Sequence, residues 1–145
     1  MTHFSGTADA IEARVRERDR APDRDGRFRV NNFFCHANAW EAVVARLVSD
    51  GDVVLMDLRS FSARSTGCIR ELRHLIDFVP LTRCVMVVDA TTDAPFLQRT
   101  LEQAWQEIHP LSPNRDANCD CAPLHRLGSH QQGLQQLMRR LCEAA

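Results

Sequence analysis

The chain has 145 residues, an apolar fraction of 44% and a formal net charge of −1. This length is sufficient for one core without disulfide staples, and the near-neutral charge argues against nucleic acid as the main partner, because binding to nucleic acid requires a basic surface. All 18 cationic residues are arginine, which excludes a catalytic or phosphate-binding lysine and is typical of a GC-rich bacterial genome.

Residues 1–27 are polar and dense in alternating charges. Within them, Asp9–Arg20 has the spacing of an exposed helix, and the sequence around Pro22 ends it. One interpretation is a solvated N-terminal arm. The other is a juxtamembrane or interdomain linker, in which case the chain is part of a larger or membrane-anchored protein.

The remaining residues, 28–145, are expected to form a single α/β domain. Phe28–Cys35 is predicted to be its first strand. The apolar spacing from Trp40 to Val48 predicts a helix that ends at Gly51, and the apolar run Asp52–Leu58 predicts a second strand.

Helices and strands continue to alternate towards the C-terminus. The predicted elements are a helix capped by Ser65 or Thr66 and ended by Pro80, a central strand Arg83–Asp89, a helix capped by Asp93, a short strand Leu124–Leu127 and a final helix opened by Ser129. This order predicts a three-layer α/β sandwich with a central, mostly parallel sheet of about four strands, similar to flavodoxin-like folds.

Acidic residues follow two of the predicted parallel strands, where ligands bind in such sheets. Asp57, Arg59, Asp89 and Asp93 are therefore candidate ligand-binding residues. Two carboxylates at neighbouring strand ends suit a cation or a ligand hydroxyl. The alternative is that both strand-end aspartates cap their own loops through Asx turns. A phosphoryl receiver is not expected, since it requires a lysine.

Glu71 is the candidate catalytic residue. On a helical wheel it lies beside the apolar stripe, one turn from Cys68 and from Leu75, where partial desolvation would suit acid/base or electrostatic work. The alternative is a surface glutamate that interacts with solvent or with His74.

Residues 39–72 resemble part of a Toll/interleukin-1 receptor (TIR) domain. The match consists of the helix Trp40–Ser49, the strand Val53–Met56, the serine-containing loop Phe61–Ser65 and the motif Gly67-Cys68-Ile69-Arg70-Glu71-Leu72. In enzymatic TIR domains the glutamate of this motif cleaves the nicotinamide glycosidic bond of NAD. The resemblance implies a TIR-like fold, a nucleotide ligand and a catalytic role for Glu71.

Two functions are therefore expected from different classes. The first is a non-catalytic interaction or signalling module that binds a protein partner or self-associates. The lack of a complete catalytic constellation in the sequence favours it. The second is a TIR-like NAD-cleaving hydrolase that uses Glu71. Whether the protein is an enzyme is left open by the sequence.

The sequence predicts no resident cofactor and no metal site. Cys119, Cys121 and His125 are soft ligands close in sequence, but their spacing is not that of a zinc site. No run is long enough to span a membrane and Met1–Ala10 does not have the layout of a signal peptide. We therefore expect a cytoplasmic protein with reduced cysteines and no direct membrane insertion.

Overall fold

The computed structural model describes residues 13, 24–27, 40–50, 53–128 and 131–145. The chain divides into two compact units, Met1–Gly51 and Asp52–Ala145. In the first unit the structure describes helix α1 (Trp40–Asp50) and a turn within residues 24–27. The predicted strand Phe28–Cys35 lies outside the described residues, so a domain boundary at residue 27 stays a prediction.

The second unit alternates strands and helices in the order that the sequence predicts. Its elements are β1 (Val54–Asp57), α2 (Thr66–Phe78), β2 (Cys84–Val88), α3 (Ala94–Gln106), β3 (Leu124–Arg126) and α4 (Gln131–Ala144), with 3-10 turns at Leu81–Arg83 and Cys119–Cys121. No helix among these described residues is long and apolar enough to cross a membrane.

The sheet has three parallel strands in the order β1-β2-β3. All five residues of the central strand β2 are buried, as its uninterrupted apolar sequence predicts for a strand covered on both faces. β1 and β2, which correspond to the second and third predicted strands, pair directly with each other.

Helix α4 packs on one face of β2. Leu137 forms a buried cluster with Val85 and Val87, and Leu127, Leu141 and Ala144 pack around this cluster. Val85 and Val87 alternate with Met86 along the strand, so their side chains leave the sheet on the same face. Met86 leaves it on the opposite face and is fully buried.

Helices α2 and α3 contact each other and contribute apolar stripes to the core. The buried positions are Leu72, Leu75 and Ile76 on α2, and Leu97, Leu101 and Ala104 on α3. Asp93 caps α3 by accepting a hydrogen bond from Phe96 N at 3.0 Å, and Pro95 lies in the first turn, where a proline needs no donor. Both features agree with the sequence prediction.

The loop between α3 and the second 3-10 turn is fastened to the C-terminal end of α2. Asn114 is buried and donates hydrogen bonds to Ile76 O and Val79 O at 2.8 Å, while its Oδ1 accepts from Leu81 N at 3.0 Å. Ser112 Oγ also donates to Ile76 O. The polar side chains of Ser112 and Asn114 therefore hold the end of the helix.

We predict that Asn114→Ala lowers the free energy of unfolding by about 2–3 kcal/mol, because it leaves buried backbone groups without partners. Urea denaturation followed by circular dichroism measures this change. Asp116→Ala, an exposed position in the same loop, is the matched control and should change stability by less than about 0.5 kcal/mol. Equal effects of the two variants would contradict the anchoring role of Asn114.

Candidate functional site

Two short loops follow the carboxyl ends of β1 and β2, and we call them the strand-end loops: residues 57–61 and 89–93. Each begins with an aspartate that was predicted from the sequence. Asp57 Oδ1 accepts a hydrogen bond from Arg59 N at 3.0 Å, and Asp89 Oδ1 accepts one from Thr91 N at 2.8 Å. Both aspartates therefore form Asx turns.

Asp57 and Arg59 also form an ion pair at the surface. The Arg59 Nε lies 2.8 Å from Asp57 Oδ1, and the terminal guanidinium nitrogen reaches the other carboxylate oxygen. About half of each side chain is exposed, so solvent screens the attraction and the pair adds little to stability. Its main consequence is that Arg59, the arginine of the strand-end loops, is already paired with a carboxylate.

The two strand-end loops are bonded to each other. Ser60 N donates to Thr91 Oγ1 at 2.9 Å, and Thr92 Oγ1 donates to Leu58 O at 2.9 Å. Ser60 has a left-handed backbone, with φ of 58°. That conformation costs a residue with a Cβ atom about 1–2 kcal/mol, and the bond to Thr91 helps to hold it.

A third bond and an aromatic contact complete this junction. Asp93 N donates to Phe61 O at 2.9 Å, so the residue that caps α3 is also tied to the other loop. The Phe61 ring is buried, with its centroid 5.6 Å from that of Phe96 on the first turn of α3. Asp93 is therefore placed as a structural cap.

Hydrogen bonds keep both strand-end aspartates ionised. The side-chain hydrogen bond from Arg59 lowers the pKa of Asp57, and the side-chain hydrogen bond from Thr91 lowers the pKa of Asp89. The charge of Arg59 lowers the pKa of Asp89 further, whereas the charge of Asp57 opposes this. At neutral pH neither aspartate can act as a proton donor. As carboxylates they can bind a cation or a hydroxyl group, or accept a proton.

Glu71 lies on α2 and is partly buried. Burial raises the pKa of the neighbouring Cys68 thiol, and the charges of Glu71 and Asp57 raise it further. Cys68 is thus close enough to both carboxylates to be affected by their charges. The same effects leave Cys68 protonated at neutral pH, so it is not an activated nucleophile.

The structure brings Asp57, Arg59 and Asp89 together, as the sequence analysis expects. It adds the hydroxyl groups of Ser60, Thr91 and Thr92, which the sequence analysis did not single out. The available signal was the pair of threonines two and three positions after a strand-end aspartate, because short hydroxyl side chains commonly bond to nearby backbone groups. Their partners, however, come from a loop more than thirty positions earlier in the chain.

The remaining cysteines and histidines do not assemble into a metal site within the part of the chain that the structure describes. Burial raises the pKa of Cys84 to about 11, which is consistent with an apolar role in the core. Cys119, Cys121 and Cys142 are free thiols, and they are at least partly exposed.

The outer side of α4 carries a second feature that the sequence left undecided. Leu134 and Met138 are 57% and 54% exposed, whereas Leu137 on the inner side is only 8% exposed. Cys142, one further turn along, is also exposed. We call Leu134, Met138 and Cys142 the outer stripe of α4. Their spacing of four residues places them on one side of the helix.

Comparison of the chain with protein-family models, with curated proteins and with solved structures finds no match. The function is therefore inferred from the geometry of the strand-end loops and of the outer stripe.

We predict that Thr92→Val destabilises the protein by about 1–2 kcal/mol, because it removes the bond to Leu58 O and leaves Asp89 N without its acceptor. Chemical denaturation measures the loss. Ala90→Val, an exposed position between the two bonded residues, is the control for added bulk in this loop. If Thr92→Val is as stable as the wild type, the hydroxyl bridge does not hold the two loops together.

Proposed function

We propose that this protein is an α/β interaction module that self-associates through the outer stripe of α4. The observation that carries this proposal is the exposure of Leu134 and Met138 on a helix whose opposite side is already packed on the sheet. Scattered exposed apolar residues are common, but consecutive ones along one side of a helix are typical of an interface.

The outer stripe is self-complementary. In an antiparallel arrangement of two α4 helices with a two-fold axis at Met138, the Met138 side chains of the two copies meet at the centre. Leu134 of each copy then lies opposite Cys142 of the other. None of these three residues is charged, so their burial in an isologous interface leaves no unpaired charge.

The proposal includes the finer expectations for the fold. A fourth strand over Phe28–Cys35 and helices on both faces of the sheet are expected of the complete module. The partial burial of the described strands β1 and β3 is compatible with additional covering elements.

We predict that the wild-type chain dimerises and that Met138→Gln weakens dimerisation at least tenfold. The reason is that a polar amide replaces the residue at the two-fold axis. Sedimentation equilibrium over a range of concentrations measures the association. Leu111→Gln, at an 86% exposed leucine in a loop, is the matched control and should dimerise as the wild type does. A wild-type chain that is monomeric at every concentration would contradict the proposal.

A second variant tests the orientation of the helices. Under mild oxidation, Leu134→Cys should form a covalent dimer through Cys142 of the other copy, whereas Leu111→Cys should not. Covalent dimers of both variants to the same extent would show random collision and not an antiparallel interface.

NAD cleavage in the manner of a TIR domain is the second candidate function. The observation that favours it is that Cys68, one turn from Glu71 on α2, lies near enough to Asp57 for the charge of that carboxylate to raise its pKa. The ion pair of Asp57 with Arg59 weighs against it, because that carboxylate already has an internal partner, so we rank it below self-association.

If the protein cleaves NAD, free nicotinamide should appear on incubation with NAD, and Glu71→Gln should reduce its rate of release at least a hundredfold. Liquid chromatography detects the product. Glu102→Gln, on the exposed side of α3, is the control for loss of one negative charge. Absence of nicotinamide at all protein concentrations excludes this function, including for an enzyme that is active only when assembled.

A further inference from the structure

The second 3-10 turn of the protein contains two cysteines separated by one residue. Cys119 is half-buried, Cys121 is exposed, and both are free thiols. We propose that these two residues form a dithiol site that exchanges with low-molecular-weight disulfides of the glutathione type and closes to an intramolecular disulfide.

The backbone places the two residues at a suitable separation. Three residues per turn and a rise of about 2.0 Å per residue put the Cα atoms of residues two apart at about 5 Å in a 3-10 turn. Disulfides usually join residues whose Cα atoms are about 4.4–6.8 Å apart, most often about 5.5–6 Å. Only a change of side-chain direction and a local opening of the turn are then needed for closure.

In the reduced protein each thiol has its own polar neighbour. Gln98 Nε2 on α3 donates to Cys119 Sγ at 3.8 Å, and Cys121 Sγ donates to Asn118 Oδ1 at 3.5 Å. Asn118 Oδ1 also accepts from Asp120 N at 3.0 Å. The two sulfur atoms thus have different partners in the reduced turn. Closure of the disulfide releases the thiol contacts with Gln98 and Asn118.

A groove beside the turn gives access to a small co-reactant. It has a volume of about 650 Å³ and is lined by Cys121, Asn114, Asp116 and Leu81, among others. This volume lies within the range of small-molecule sites, and apolar side chains with a few polar groups are typical of such sites. A small disulfide bound in the groove would lie against Cys121, the more exposed of the two thiols.

The exchange proceeds in two balanced steps. The Cys121 thiolate attacks one sulfur of glutathione disulfide, so a mixed disulfide forms and one glutathione leaves as a thiolate. Cys119 then loses its proton and attacks the Cys121 sulfur, which releases the second glutathione. In total the two cysteines are oxidised, one glutathione disulfide is reduced to two thiols, and the two cysteine protons end on the released glutathione molecules.

The experiment uses the full chain in buffers with increasing ratios of glutathione disulfide to glutathione. After acid quenching and alkylation, trypsin cleaves at Arg115 and Arg126, which isolates Cys119 and Cys121 in one peptide that contains no other cysteine. Mass spectrometry should show this peptide unalkylated and lighter by two hydrogen atoms in oxidising buffer, and fully alkylated in reducing buffer.

Two single variants separate the steps. Cys119→Ser should retain glutathione on Cys121, because no second thiol is present to release it, and Cys121→Ser should react more slowly than Cys119→Ser. If the wild-type peptide carries glutathione adducts without closure, or stays reduced in the most oxidising buffer, the dithiol proposal is overturned.

Discussion

The complete burial of β2 is the constraint on which the rest of the described structure depends. Five consecutive apolar residues can be removed from water only if both faces of the strand are covered and both edges are paired. β1 and β3 pair with the two edges of β2, and α4 covers the face on which Val85 and Val87 lie. The carbonyl groups at the end of β2 continue this pairing, since Val87 O accepts from Leu58 N and Val88 O accepts from Leu127 N. The segments that follow β1 and β3 are thereby held at the same end of the sheet, where the carboxyl ends of its strands lie.

The carboxyl end of a parallel sheet is the usual place for a ligand. In this protein, however, most polar groups at that end have internal partners. Asp57 is bound to Arg59, Asp89 to Thr91, and Asp93 to the first turn of α3. These bonds lower the pKa values of Asp57 and Asp89 and fix the loops. A site that binds a substrate generally keeps some of its polar groups without internal partners. The strand-end loops therefore resemble a structural junction more than a prepared catalytic centre.

Two other surfaces have features that the core does not require. The outer stripe of α4 exposes apolar residues that contribute little to the packing of the sheet, and the turn Cys119–Cys121 carries two free thiols whose polar contacts are with Gln98 and Asn118. The two surfaces involve different elements, so self-association and thiol exchange are independent. Cys84 shows the contrast: its buried thiol has a raised pKa and serves as an apolar side chain.

The sequence by itself determined the elements of the second unit, their order and several of their ends. Helical periodicity, the cap at Asp93, the stop at Pro80 and the apolar run of β2 are local patterns, and each is fixed by residues a few positions apart. Tertiary structure alone decided that β1 pairs directly with β2, that Thr92 bridges to Leu58, and that Leu137 is buried while Met138 is exposed. These outcomes depend on contacts between residues distant in the chain. Local periodicity indicates that a helix has an apolar side, but which part of that side meets the sheet is set by the position of the sheet itself.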